Sequence, residues 1–341
     1  MSARVTRCKN CSLPTNFPGV SFNGSGICNN CQQYNKEQYL NEKASAREQL
    51  VKTISYVKEI GLRSSSPYDA IVALSGGKDS CHTLDYLVEE FGLRCLAITV
   101  DNGFLSKRSI MNSQLICDKL AVDFIIWRPK PNFMNALYVD SLDGNYQNKG
   151  SIVRASDLCN GCINLINSVM LKEAVGRNIP LIAGGYIAGQ VPKGTCVMKL
   201  RLETLSAFSK VKNSTADKMF SLQHYTLQAE DLKRYTVSDS VRIINPMLSI
   251  VYSENEILQS LKKMGWRRPR DTGKHSSNCQ INDLGIKTHM AKYGFHPYEQ
   301  EVAEQVRAGT LTRDKAIKKL EANLDNKRIA EVEAKVRGHA Q

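Results

Sequence analysis

The stretch that decides the fold is YDAIVALSGGKDSCHTLDYLVEEFG, residues 68–92. Its largely apolar run from Ala70 to Leu74 reads as a buried strand, and Leu84, Leu87 and Val88 further on recur at helical spacing. Between them stand Ser75, Gly76, Gly77, Lys78, Asp79 and Ser80. Two glycines at the end of a strand can take backbone angles closed to other residues, which lets successive N–H groups curl into an anion-binding nest. The following helix adds its free N–H groups and the positive end of its dipole. Lys78 supplies a point charge, and Ser75 and Ser80 supply hydroxyl donors, so the segment reads as a loop that holds phosphate. It is not a Walker loop, because the four-residue spacer before Gly-Lys is absent.

Outward from this loop the pattern alternates. Strands are expected at 70–74, 95–100, 124–127 and 180–183, with helices over 81–91, 106–120 and 163–176. Strands alternating with helices predict an α/β fold, a doubly wound parallel sheet covered on both faces. After about residue 250 no strand is expected. Ser253 and Glu256 form a capping-box pattern there, and the charged remainder reads as a helical tail. The chain divides on these grounds into 1–32, a connecting helix and linker over 33–66, the α/β domain over 67–250, and the helical region 251–341. The linker proper is the polar run Arg63 to Pro67.

The totals set the class. Hydrophobic residues make up 42% of the 341, enough for a globular core. No apolar run approaches the ~20 residues of a membrane span, and the start lacks an apolar signal core, so the protein is expected in the cytoplasm. A formal charge of +13 points to an anionic partner such as a nucleotide, a nucleotide-linked sugar or RNA; a basic surface without a specific partner is the plainer reading. Arg267, Arg268, Arg270, Lys274 and His275 form the densest basic run, which suits a substrate phosphate or an RNA backbone, or a solvated loop.

Six of the eleven cysteines stand in three Cys-x-x-Cys pairs, a clustering that in a reducing compartment points to metal or sulfur chemistry. Cys8, Cys11, Cys28 and Cys31 have zinc-ribbon spacing, with zinc substituting for a core that ~30 residues cannot build. Cys159 and Cys162 lie apart, just before a predicted helix whose start favours thiolate. Three readings compete for that pair: half of a second metal site, a redox or persulfide-carrying pair, or buried thiols without chemistry. Cys81, Cys95, Cys117 and Cys196 lie in apolar or helical contexts and read as core.

The string SGGKDS after a strand closely resembles the signature of the PP-loop ATP pyrophosphatases. The resemblance implies a HUP-like fold in which the loop grips the β- and γ-phosphates of ATP while a substrate oxygen attacks the α-phosphate. An adenylate forms and pyrophosphate leaves. It implies catalytic roles for Lys78, Asp79, Ser80 and Asp101, nucleotide contacts from Ser75 to Ser80 and from Val100 and Asp101, and a glycine turn near ATP at Gly184 and Gly185. Magnesium would bridge the phosphates. What replaces the activated oxygen, nitrogen or sulfur, stays open.

Two resemblances bear on that choice. The start, CKNCSLPTNFPGVSFNGSGICNNC, and the far end, YGFHPYEQEVAEQVRAGTLTRDKAIKKLE, resemble the N-acetyl sugar amidotransferases of bacterial surface-polysaccharide biosynthesis. That implies conversion of an acetamido to an acetamidino group, with ammonia from a separate glutaminase subunit. The chain departs from that pattern after its second strand, where Asp101-Asn102-Gly103-Phe104 replaces an aromatic-rich turn, which leaves the acceptor open. Cys159 and Cys162 resemble instead the arrangement of some PP-loop thiolases of tRNA, which implies a [4Fe–4S] cluster with Cys279 as third ligand, a sulfur donor, and tRNA or another nucleobase as acceptor. A homo-oligomer is compatible with either.

Overall fold

The structure, a computed structural model, describes residues 6–62, 66–144, 152–209 and 222–338. The expected linker Arg63 to Pro67 lies partly outside them. At the centre is one six-stranded sheet: β1 (Ala70–Ala73), β2 (Cys95–Val100), β3 (Asp123–Trp127), β4 (Leu181–Ala183), β5 (Val197–Arg201) and β6 (Ser240–Ile244), in the order β3-β2-β1-β4-β6-β5. All pairings are parallel except β5 with β6, which is antiparallel. The expected doubly wound α/β fold is present, with one correction: the edge strand β5 runs against the rest. β5 and β6 carry charge within short apolar runs, VMKLR and SVRII, which hides them from a search for apolar strands.

β1 shows why the sheet is covered on both faces. Ala70 and Val72 point into a core with Leu84 and Leu87 of the helix Lys78–Glu89, while Ile71 points into the opposite core with Leu165 and Val169 of the helix Asp157–Gly176. Each large aliphatic side chain fully buried in this way stabilises the fold by about 1.5–3 kcal/mol. Cys81, Cys95, Cys117 and Cys196 are all buried in the first of these cores, as expected.

Beyond β6 the regular elements among the described residues are helical, with α-helices at Glu254–Lys263, Asn282–Tyr293, Glu299–Arg307, Arg313–Leu320 and Asn326–Val336, and a non-helical stretch over 265–281. The Ser253 hydroxyl accepts from the Glu256 N–H and so caps the first of them. The two ends of the chain meet: Leu13 and Phe17 share a core with Phe295 and Ala303, and the Arg7 guanidinium donates to both oxygens of buried Glu299 at 3.0 and 2.9 Å. Arg313 Nε donates to the Cys8 carbonyl at 2.9 Å. No helix among the described residues is long and apolar enough to cross a membrane.

Candidate active site

The order β2-β1-β4 places β1 at the point where successive connections diverge to opposite sides of the sheet. In such sheets ligands sit outside the carboxyl ends of the strands at this switch point. Three expected segments lie there side by side: Ser75 to Ser80 after β1, Val100 and Asp101 at the end of β2, and Gly184 and Gly185 after β4.

The two loop glycines act for different reasons, which corrects the expectation that both need special angles. Gly76 has φ +71°, and a Cβ there would run into the Ser109 carbonyl. Its own carbonyl accepts from Trp266 Nε1 at 2.9 Å, so the turn is fixed from outside. Gly77 has an ordinary φ of −74° and is the N-cap of the helix, which begins at Lys78 rather than 81. There the small size matters, because a Cβ would come within 3.0 Å of Ser277 Oγ. Gly185 is likewise a close-approach residue, its would-be Cβ 2.8 Å from Ser80 Cα. The β4 turn is thereby pressed against the first turn of the loop helix. Gly76→Ala should cost about 1–2 kcal/mol from the left-handed backbone and a further ~1–3 kcal/mol from overpacking. Denaturant unfolding as resistant as that of the parent would contradict this account of the loop.

Ser75 and Ser80 face each other, their hydroxyls 3.1 Å apart, and Ser80 Oγ also accepts from the Ser75 N–H at 3.1 Å. Lys78 is placed less simply than its sequence suggests. Its ammonium donates to Asp79 Oδ2 at 2.6 Å and to Tyr252 Oη at 2.7 Å, and lies 3.8 Å from Glu254, which also pairs with Lys319 at 3.2 Å. Tyr252 in turn donates to Asp79 Oδ1 at 2.7 Å. Burial alone would lower the Lys78 pKa, but Asp79 and Glu254 outweigh it and hold the ammonium above the ordinary lysine range. Burial likewise acts to raise Glu254, and Lys78 and Lys319 overcome it, leaving that carboxyl below its usual value. The loop therefore carries a fixed, desolvated positive charge. Tyr252, Glu254 and Lys319 were not singled out in the sequence; only the capping pattern at Ser253 and Glu256 marked their neighbourhood.

Asp101 is partly exposed, accepts from the Gly103 N–H at 3.0 Å and lies 3.6 Å from Arg128 Nε. The next residue, Asn102, is buried, and its amide donates to Cys162 Sγ at 3.4 Å and to Cys279 Sγ at 3.7 Å. Cys279 reaches this point because its segment pairs with the chain after β2: Ser106 N donates to the Asn278 carbonyl and Gln280 N to the Phe104 carbonyl, both at 2.9 Å. Cys159, one helical turn before Cys162, accepts from a different amide, Asn282 Nδ2, at 4.0 Å. Two expectations need correction. Cys159 and Cys162 lie within the first turns of the helix Asp157–Gly176, capped by Ser156, not ahead of it. Burial also overrides the helix start: it raises both thiols, and pushes Cys279 up to about 12. Without a metal the three are neutral thiols, and a metal would have to displace their protons.

The ribbon cysteines are arranged differently. The sulfurs of Cys8, Cys11, Cys28 and Cys31 all lie within 4.8 Å of one another, with Cys8 to Cys31 at 3.9 Å and Cys11 to Cys28 at 3.6 Å. Four thiolates around a tetrahedral zinc at about 2.3 Å stand roughly 3.8 Å apart, so the donor set fits that ion. Burial acts to raise Cys8, but N–H donors from Cys28, Cys11 and Asn10 outweigh it and bring the thiol to about 7. Of the basic run, Arg268 donates to the Lys274 carbonyl at 2.7 Å, and the His275 ring lies tilted against that of buried His296, centroids 4.9 Å apart.

No protein-family model matches the chain. It is similar to an uncharacterized protein of Methanocaldococcus jannaschii, 26% identical over 304 residues that make up 89% of this chain and 88% of that one. Among solved structures it is similar to the U34-tRNA thiolase NcsA of Methanococcus maripaludis with its [4Fe–4S] cluster, at TM-score 0.34 and 16% identity over 90% of this chain and 88% of that one. The NH3-dependent NAD synthetase of Campylobacter jejuni in complex with nitrate gives TM-score 0.35 and 14% identity, over 83% of this chain and 97% of that one.

Proposed function

We propose that this protein is an ATP-dependent, AMP-forming transferase of the PP-loop type. The observation that carries the reading is the loop Ser75 to Ser80 at the switch point of the sheet, its amides at a helix start and Gly185 pressed against Ser80. The loop amides and the Ser75 and Ser80 hydroxyls would bind the β- and γ-phosphates, and Lys78 would offset the charge on the departing pyrophosphate. Val100 and Asp101 would flank the nucleoside. Ser80 and Asp101 would be the groups to hold a magnesium ion, which would neutralise phosphate charge when bound.

A carbonyl oxygen of the acceptor attacks the α-phosphorus. The bond to the β-phosphate oxygen breaks, and pyrophosphate leaves. A nucleophile then adds to the activated carbon, and AMP departs with the former carbonyl oxygen. In our first reading the nucleophile is ammonia from a glutaminase partner and the acceptor an N-acetyl sugar, carried on a nucleotide or similarly anionic; this rests on the resemblance at both chain ends. Product analysis by 31P NMR with acceptor present should give AMP and pyrophosphate, whereas ADP and phosphate would sink the reading.

A second reading is favoured by Cys162 and Cys279 meeting at the Asn102 amide, beside Asp101, with Cys159 one helical turn before Cys162. The Asn102 amide donates to two of the sulfurs, the kind of N–H···S bond that tunes iron–sulfur clusters. A [4Fe–4S] cluster held there, or Cys159 and Cys162 themselves, would carry sulfur from a separate persulfide or sulfide donor, and a nucleobase or tRNA would be the acceptor. Iron and acid-labile sulfide analysis of protein purified without oxygen separates the two. About four of each per chain, lost in Cys159→Ser, selects sulfur transfer; zinc alone selects nitrogen transfer. In both readings the ribbon 1–32 would hold structural zinc, 67–250 would be the catalytic domain and the helical region 251–341 would complete the site with Tyr252, Ser277 and Cys279, in the cytoplasm.

A further inference from the structure

The segment Ser276 to Cys279 touches both chemical centres. At one end Ser277 Oγ accepts from the Lys78 N–H at 3.4 Å, on the first amide of the loop helix. At the other, two residues away, Cys279 Sγ faces the Asn102 amide. The turn between them is tied together by hydrogen bonds: Ser276 Oγ accepts from Asn278 N at 3.2 Å and Cys279 N at 2.9 Å, and Thr272 Oγ1 donates to the Ser276 carbonyl at 3.0 Å. The Asn278 carbonyl accepts from Ser106 N at 2.9 Å and Ser109 Oγ at 3.1 Å. A displacement of Ser277 is therefore passed to Cys279.

The geometry points to Ser277 as a positioning residue that couples nucleotide occupancy of the loop to the placement of Cys279. This rests on the proposal that the loop binds ATP. The bond from Lys78 N–H to Ser277 is long and neutral, hence weak. A phosphate oxygen is a stronger acceptor for that amide, and taking it frees the Ser277 hydroxyl to donate to the phosphate. One weak bond is exchanged for two charge-assisted ones, and the Ser276–Cys279 turn tightens as ATP binds.

The test uses the full chain, α,β-methylene ATP with magnesium, and two readouts. Trp266 donates to the Gly76 carbonyl, and with Trp127 it accounts for both tryptophans, so its fluorescence in a Trp127→Phe background reports loop occupancy. Hydrogen exchange of the Ser276–Ile281 amides reports the turn. At saturation, exchange there should slow by about tenfold, in the usual range of coupling between sites. Ser277→Thr should retain this slowing and Ser277→Ala should lose it while still binding the nucleotide. Equal slowing in saturated Ser277→Ala would overturn the coupling. A Ser277→Ala protein that takes up no nucleotide would also overturn it, because the hydroxyl would then be required for binding rather than for coupling. No fluorescence response or protection in the parent would instead refute ATP binding by the loop.

Discussion

Lys78→Ala is expected to reduce pyrophosphate release by about 10²–10³-fold, the loss typical when one preorganised charge-stabilising donor is removed. The reason lies in how the ammonium is held. Asp79 and Tyr252 fix it at 2.6 and 2.7 Å, so no reorganisation is needed when charge develops on the leaving group. The chain should stay folded, because Glu254 keeps Lys319 and Asp79 keeps Tyr252. The same cluster sets a pH window. Glu254, lowered from 4.5, contributes stability above that pH and loses it as pH falls through its folded value. Lys78, raised from 10.5, contributes below that pH and loses it as pH rises through its own. Both terms are therefore complete at neutral pH. Undiminished pyrophosphate release from a folded Lys78→Ala protein would refute the loop assignment.

Cys28→Ser is expected to empty the ribbon. A serine hydroxyl is a poor zinc ligand, and apparent binding free energies of about 10–16 kcal/mol for structural zinc are also folding free energy. The damage should spread beyond residues 8–31, because the ribbon shares its core with Phe295 and Ala303 and anchors Arg7 on Glu299. Zinc content should fall from one per chain to near zero, with lower thermal stability and solubility. A variant with full zinc would show that the four-cysteine assignment is wrong.

How far these features could be read from the sequence depended on whether their cause is local. The loop after β1 was legible because a buried strand, two glycines and a helical period occupy consecutive positions. The ribbon was legible for the same reason, since its spacing alone brings four sulfurs within reach. Cys279 was a weaker inference, because its approach to Asn102 depends on pairing with residues 104–106, more than 170 positions away in the chain. The hold of Tyr252 and Glu254 on Lys78 was not legible at all, because it arises only when the segment after β6 packs behind the loop. The helix start near Cys159 misled, since periodicity shows where a helix runs but not that burial will outweigh its dipole. β5 was lost because an edge strand half open to solvent needs no continuous apolar run.

The most direct test of the central claim is a crystal structure with α,β-methylene ATP and magnesium. The account predicts the β- and γ-phosphates on the amides of Gly76 to Ser80 with the nucleoside beside Val100 and Asp101. Nucleotide bound elsewhere, or excluded from a loop that keeps its present form at saturating concentration, would contradict it.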